Sequence, residues 1–251
     1  MLKIKLKAAA FHFLFTALVA SFAGVLIFIV WYPSPYTTIS GGFGLWVILT
    51  LVELSLGPLM SIVIYNPQKK IKELVCDYAL VGLLQIAALT YGVYILYSAR
   101  PLFMVFVKDR FELVTASDLT PRLQSDAEKW RANWSGPTVL GVRSSETASE
   151  QRELMFDTVL SGVGIHLRPK YYTDLDADGV LSVCKPVSSL IIAVGDSFGE
   201  EYTVELSRLA PGDDYCWVPV VNGNRYWTAI LEKNLNFVKF LPIDPWELHN
   251  E

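Results

Sequence analysis

Charge is scarce over the first hundred residues of this chain, and histidine and cysteine are scarce throughout it. Three histidines in 251 residues, His12, His166 and His249, stand in unrelated contexts, without the spacing that holds a metal ion. No metal and no cofactor is expected. Only Lys3, Lys5, Lys7, Lys69, Lys70 and Lys72, of 21 Lys and Arg in all, precede Arg100. From Arg100 onward the chain carries 22 Asp and Glu against 15 Lys and Arg. A region that acidic excludes nucleic acid as a partner, because phosphate contacts need a basic surface.

What fills the chain instead is apolar: 52% of residues are hydrophobic and the mean hydropathy is +0.36. Three runs, 8–30, 43–64 and 74–97, each exceed the roughly 18–20 residues that a hydrocarbon layer of about 30 Å requires. They predict three transmembrane helices, a membrane domain over 1–98 and a second domain over 99–251. Basic residues near membrane ends are retained in the cytoplasm. The lysines at 3–7 and 69–72 therefore put the N-terminus inside, and the uncharged connection 31–42 and the C-terminal domain outside. Ser21-Phe22-Ala23 before Gly24 offers the alternative of a cleaved signal peptide. The apolar run continues past that point to Trp31, which favours an uncleaved anchor.

Glu53 interrupts the second run. An acidic side chain at a helix centre costs about 2.5–3.5 kcal/mol on insertion scales, so it is expected to pair or to serve a function. With the spans laid side by side, Gln85 shares its depth. One reading is a Glu53–Gln85 hydrogen bond across spans two and three, a kind of pair that averages only about 0.6 kcal/mol. The other is that Glu53 faces a partner helix. Gly57 and Pro58 follow, and the proline leaves the Leu54 carbonyl without its usual donor, which predicts a kink and a polar notch. Glu53, Gly57, Pro58 and Gln85 are thus the candidate partner-binding residues of a membrane groove. In span one, Thr16, Ala20 and Gly24 form a small-residue ridge that permits close helix approach.

Past Arg100-Pro101, residues 102–107 have β character. Segments 121–134 and 147–161 read as helices, the second opened by a capping box, Thr147 with Glu150. Strands are expected at 179–184, 188–194, 202–207, 215–221, 225–231 and 237–241, with a hairpin turn at Val221-Asn222-Gly223-Asn224. The fold class is therefore three transmembrane α-helices followed by an α+β domain with an antiparallel sheet. Cys184 and Cys216 lie where oxidation is permitted. They either form a disulfide, closing a loop of about 33 residues worth roughly 3–4 kcal/mol, or remain two buried thiols; sequence does not give connectivity.

Two motifs suggest chemistry and then lose it. Gly195-Asp196-Ser197-Phe198-Gly199 matches G-x-S-x-G after an apolar run read as a strand, but a nucleophile elbow must lead into a helix, and 201–206 alternate like a strand. His249 sits at the mobile end expected of a terminus. Asp174-Leu175-Asp176-Ala177-Asp178-Gly179 resembles the first half of a calcium loop, yet the twelfth position is Lys185 instead of Glu, which favours an acidic turn.

The succession Trp31-Tyr32-Pro33-x-Pro35, Gly41-Gly42, Glu53-Leu54-x-Leu56-Gly57-Pro58-Leu59, Tyr65-Asn66-Pro67, Leu84-Gln85, Tyr91-Gly92-Val93-Tyr94 and Arg100-Pro101 resembles the TfpX/TfpZ family of type IV pilin accessory proteins. The closing Leu241-Pro242-Ile243-Asp244-Pro245-Trp246 is similar to that family's C-terminal signature. The family pattern carries Asp where this chain has Glu53, which keeps the charge and adds one methylene of reach. The resemblance implies a bacterial inner-membrane protein with a periplasmic C-terminal domain. Its implied role is a non-catalytic chaperone that stabilises the type IV major pilin before assembly, alongside other inner-membrane assembly components. The runner-up is a membrane-anchored sensor or ligand-binding module, against which the lack of a cytoplasmic output domain counts, and the third reading is a serine hydrolase.

Overall fold

Three long helices come first in the computed structural model, which describes residues 2–119, 123, 126–130, 133–194, 200–209 and 214–247. They are α1 (Leu2–Val30), α3 (Gly42–Ile64) and α4 (Ile71–Ser98), with a short α2 (Tyr36–Ile39) between the first two. The three long helices are long and apolar enough to cross a membrane. The chain divides into two compact units, one built on residues up to 32 with 41–100, the other on 33–40 with the residues from 101 onward.

In the first unit α3 is central, packing against both α1 and α4. Glycine makes the approach possible: a Cβ on Gly24 of α1 would stand 2.9 Å from the Trp46 ring, and one on Gly92 of α4 2.3 Å from Leu49. This is close small-residue packing of the kind that joins helices in lipid, and it uses Ala20 and Gly24 of the expected ridge, both buried. Near the ends of α1 and α4, Tyr32 Oη donates to the Leu96 carbonyl at 2.6 Å, and Trp31 meets Tyr97 edge-on. Large apolar side chains such as Phe11, Leu14, Leu18 and Phe22 point outward, as a lipid-facing surface requires. The helix α3 runs through Pro58.

The second unit is an α+β domain on an eight-stranded mixed sheet. Its elements are β1 (Pro101–Val107), β2 (Arg110–Thr115), β3 (Thr138–Val142), α5 (Ala148–Ser161), β4 (Tyr172–Thr173), α6 (Ala177–Val183), β5 (Lys185–Pro186), α7 (Val187–Val194), α8 (Glu200–Leu209), β6 (Tyr215–Asn222), β7 (Arg225–Glu232) and β8 (Phe237–Leu241). Strand order is β4-β3-β1-β2-β6-β7-β8, with β5 on β6. Most neighbours are antiparallel, but β1 with β3 and β2 with β6 run parallel. Along β1, Met104 and Phe106 join one core and Phe103 and Val105 another, so the sheet is covered on both faces. Continuous burial along β1 and β2 follows from that, in place of in-out alternation.

The connection between α1 and α3 belongs to this second unit. Ile39 of α2 is fully buried in the core of Met104, Phe111 and Val220. Tyr36 stacks its ring near Phe237 and Phe240, and Asn222 Nδ2 donates to the Ile39 carbonyl at 2.7 Å. The motif Leu241-Pro242-Ile243-Asp244-Pro245-Trp246 closes the sheet at the other extreme of the chain. Ile243 is buried, its carbonyl accepts from Thr228 Oγ1 at 3.0 Å, and Trp246 lies edge-on to Tyr226.

Three expected strands are helices: 179–184 falls in α6, 188–194 in α7 and 202–207 in α8. Alternation would have turned Tyr202, Val204 and Leu206 to one face. Instead Leu206 is buried while Val204 is 55% exposed, because the inward set is Tyr202, Leu206 and Leu209 at helical spacing. In α7, Val187 and Leu190 point inward and Ile192 outward, and short apolar runs of this kind carry no decisive period of their own. The acidic run before Gly179 opens a helix, with Asp176 at the N-cap position of α6 and Asp178 in its first turn. Ser197, the other motif residues 195–199 and His249 lie outside the described residues, as does much of the expected helix 121–134. A helix follows the serine motif, contrary to expectation, but α7 stands before it where an elbow requires a strand.

Strands 215–221, 225–231 and 237–241 are β6, β7 and β8, and helix 147–161 is α5 with Thr147 Oγ1 accepting from the Glu150 amide at 3.1 Å. Cys184 and Cys216 are disulfide-bonded, with Cα atoms 5.6 Å apart. The bond ties the end of α6 to β6. α5 is inverted relative to an ordinary surface helix. Its Glu150, Glu153 and Asp157 pair with Arg143, Lys170 and Arg168, while Met155, Phe156, Val159 and Leu160 are exposed.

Candidate functional site

The polar groups of the membrane unit converge on one place. On α3, Glu53, Gly57 and Ser61 recur at four-residue spacing, so they share a helix face, and all three are buried. Gln85 of α4 and His12 of α1 meet that face from either side. His12 Nε2 lies 2.8 Å from Gln85 Oε1, and His12 Nδ1 lies 2.6 Å from Ser61 Oγ. A carbonyl oxygen only accepts, so His12 Nε2 carries the proton and, in the neutral ring, Nδ1 accepts from the serine hydroxyl. Gln85 in turn hydrogen-bonds the Glu53 carboxyl through its side chain. Donation therefore runs one way, from Ser61 to His12 to Gln85 to Glu53.

That chain ends on a carboxylate that is only half satisfied. Glu53 is 4% exposed, and its Oε1 has no hydrogen-bond partner among the described residues. Gly57 is what lets the chain close, since a Cβ there would stand 2.6 Å from Gln85 Nε2 and 3.0 Å from His12 Nε2. Beside the cluster lies a cavity of about 440 Å³, walled by α1 and α4 and lined by His12, Glu53 and Gln85 with Tyr65 and Tyr78. Its remaining wall is apolar apart from Thr16, with Phe11, Phe15 and Val19 from α1 and Ile86 and Leu89 from α4.

Of the residues singled out in the sequence, Glu53, Gly57 and Gln85 come together. Pro58 is half-buried and does not line the cavity. Cys184 and Cys216 serve the architecture of the other unit. Sequence reasoning missed His12 and Ser61. Depth was the available signal: counted from the span midpoints, position 12 of α1 lies level with position 61 of an antiparallel α3, and an imidazole inside a span is itself an ionisable group needing a partner.

Comparison with known proteins adds the family. A family model described as "Fimbrial assembly protein FimB" matches residues 1–41. The "Fimbrial assembly protein, serogroups C1 and C2" of Dichelobacter nodosus is 38% identical over 113 residues, 45% of this chain and 86% of that protein. This chain belongs to the fimbrial assembly protein family. The fimbrial assembly proteins of serogroups I and E1 of the same organism are each 29% identical over 248 residues, 96% of either chain. No solved structure matches. In this chain the polar chain, the Gly57 contact and the cavity all lie within the three-helix unit, whereas the second unit's ion pairs and disulfide brace its own elements.

Proposed function

We propose that this protein is an inner-membrane accessory chaperone of the TfpX/TfpZ kind, which binds type IV pilin subunits and stabilises them before or during pilus assembly. The observation that carries the reading is the cavity between α1 and α4, largely apolar in its walls and lined by Glu53, one of whose oxygens is buried and unsatisfied among the described residues. A bilayer-spanning partner is almost always a helix, and its apolar surface fits such walls. The family's name places its members in fimbrial assembly, and the work is binding without catalysis. The lysines at 3–7 and 69–72 support an N-terminus in the cytoplasm and a second unit in the periplasm.

A pilin before assembly is an apolar anchoring helix with a globular head outside the membrane. The membrane unit takes the helix. The exported unit covers the head, and the outward apolar face of α5 is the surface assigned to it. Two tethered contacts of modest strength reinforce one another through effective concentration. Deleting the gene lowers pilin abundance and piliation, and the detergent-solubilised protein co-purifies with the major pilin and with inner-membrane assembly components. Unchanged pilin and pili in the deletion strain would overturn the proposal.

A further inference from the structure

The Ser61 and His12 donors of the polar cluster are committed within it, and Gln85 gives one of its two N–H groups to Glu53. The Ser61 hydroxyl is turned to His12, the His12 N–H to Gln85, and the Gln85 amide to the Glu53 carboxyl. The Glu53 oxygen left over is buried at the edge of the cavity. Burying a polar atom without a partner is costly, and acyl chains filling the cavity would match its walls but supply no donor. A helix crossing the membrane bonds all its backbone N–H groups internally. A transmembrane helix that satisfies Glu53 therefore does so with a side chain.

We infer that the cavity between α1 and α4 receives a transmembrane helix of another protein that carries one side-chain hydrogen-bond donor, and that Glu53 reads that donor. Hydroxyl, amide, ammonium and guanidinium groups all qualify. The depth is set as well: Glu53 is eleven residues from the Ile64 end of α3, about 17 Å along the axis at 1.5 Å per residue. The donor belongs near the middle of the partner's span. The inference rests on the proposed pilin-binding role and names what the groove recognises in the subunit's helix.

Gly82 provides a clean way to close the groove. It lines the cavity, and a Cβ there would meet nothing within 4 Å, so Gly82→Phe fills the space a partner would use without displacing the protein's own helices. The test is photo-crosslinking from a probe at Ile86, in the full-length protein in native membranes, with the pilin detected by antibody. Glu53→Leu, Glu53→Gln and Gly82→Phe are compared with the parent, and Cys184–Cys216 oxidation and protein abundance report folding. The parent crosslinks to pilin. Glu53→Leu lowers capture roughly three- to fifteenfold, the range of single interhelical hydrogen bonds, Glu53→Gln lowers it less because the amide keeps an acceptor, and Gly82→Phe abolishes it. Replacing the one mid-span polar side chain of the pilin helix by Leu reproduces the Glu53→Leu loss, and the two changes do not add.

Parent-level capture by both Glu53 variants would overturn the inference and leave the chaperone reading standing. Capture of a second copy of this chain, or of lipid alone, in a strain where deletion still lowers pilin would overturn it too. Absence of any effect of the deletion on pilin would instead remove the reading on which it rests. Should Glu53→Leu fail to accumulate, Glu53→Gln and Gly82→Phe decide the matter.

Discussion

Two buried glutamates, one in each unit, show how differently the halves of this chain are built. Glu112 on β2 is 8% exposed, and its Oε1 accepts from Arg110 Nε at 2.8 Å. Glu53 on α3 is buried more deeply, has an amide for a partner and keeps one oxygen bare. In the unit facing water, apolar side chains fill the interior and charge stays near the surface with a counterion. The unit facing lipid inverts this, with Phe11, Leu14 and Leu18 outward and its polar groups gathered inside. Removing apolar contacts should therefore hurt the second unit most, and removing small or polar residues should hurt the membrane unit, by less.

The largest effect is expected from Phe111→Ala. Phe111 is fully buried, with the Phe106 and Phe237 rings each 5.1 Å away, and its loss costs about 3–5 kcal/mol. Because α2 packs on the same core, the variant also frees the 33–40 connection. Chemical denaturation in detergent, with limited proteolysis at 33–40, measures both, and a cost under about 1 kcal/mol would mean that the core does not hold the unit as described. Next comes the disulfide. Cys184→Ser with Cys216→Ser removes a crosslink between residues 32 apart in sequence, worth about 3–4 kcal/mol in the chain-entropy model. Reductant should lower the melting transition of the parent and leave the double variant unaffected.

How much of this was legible in the sequence also divides between the units. The three spans follow from composition alone, since crossing a bilayer demands length and apolarity of each helix separately. Glu53 with Gln85 followed from depth. His12 with Ser61 was open to the same count of depth, but a lone histidine near the start of an apolar run and a serine drew no attention as a pair. In the second unit the long strands β6, β7 and β8 carry their own turn signals, while α6, α7 and α8 hold short runs such as Leu190-Ile191-Ile192 whose state is decided by what they pack on. Nor did the sequence reveal that Tyr36 and Ile39, in the link between two spans, complete the core of a sheet formed by residues beyond 100. That contact is non-local, and no period marks it.

The membrane unit gives smaller effects. Gly57→Leu drives side-chain atoms into Gln85 and His12 and should cost about 1–3 kcal/mol, the usual penalty of overpacking. Gly82→Leu, on open space, should be neutral or slightly stabilising because helices disfavour glycine. If the two variants melt alike in detergent, the Gly57 contact is not what closes the cluster. Ser61→Ala removes only the hydroxyl bonded to His12 and should cost about 0.6 kcal/mol.

The smallest expected effect concerns charge in the second unit, where water competes for the ion pairs near the surface. Glu150 accepts from both terminal nitrogens of Arg143 and from the Glu146 amide. The Arg143 guanidinium first, and that amide second, hold its carboxyl down at about 2, below the ordinary value of about 4.3. A depressed carboxylate stabilises the folded state fully above its unfolded value, and that contribution disappears as pH falls from about 4.3 towards about 2. Glu150→Gln should therefore be slightly less stable than the parent at neutral pH, with the gap closing across that window. Salt should narrow it as well, because the pair is only partly buried and so is screened. Acid titration of tryptophan fluorescence for both proteins measures the two slopes. Parallel curves would show that Glu150 does no more than cap α5, and that this unit holds the helix through Asp157 with Arg168, whose side chain is only 9% exposed.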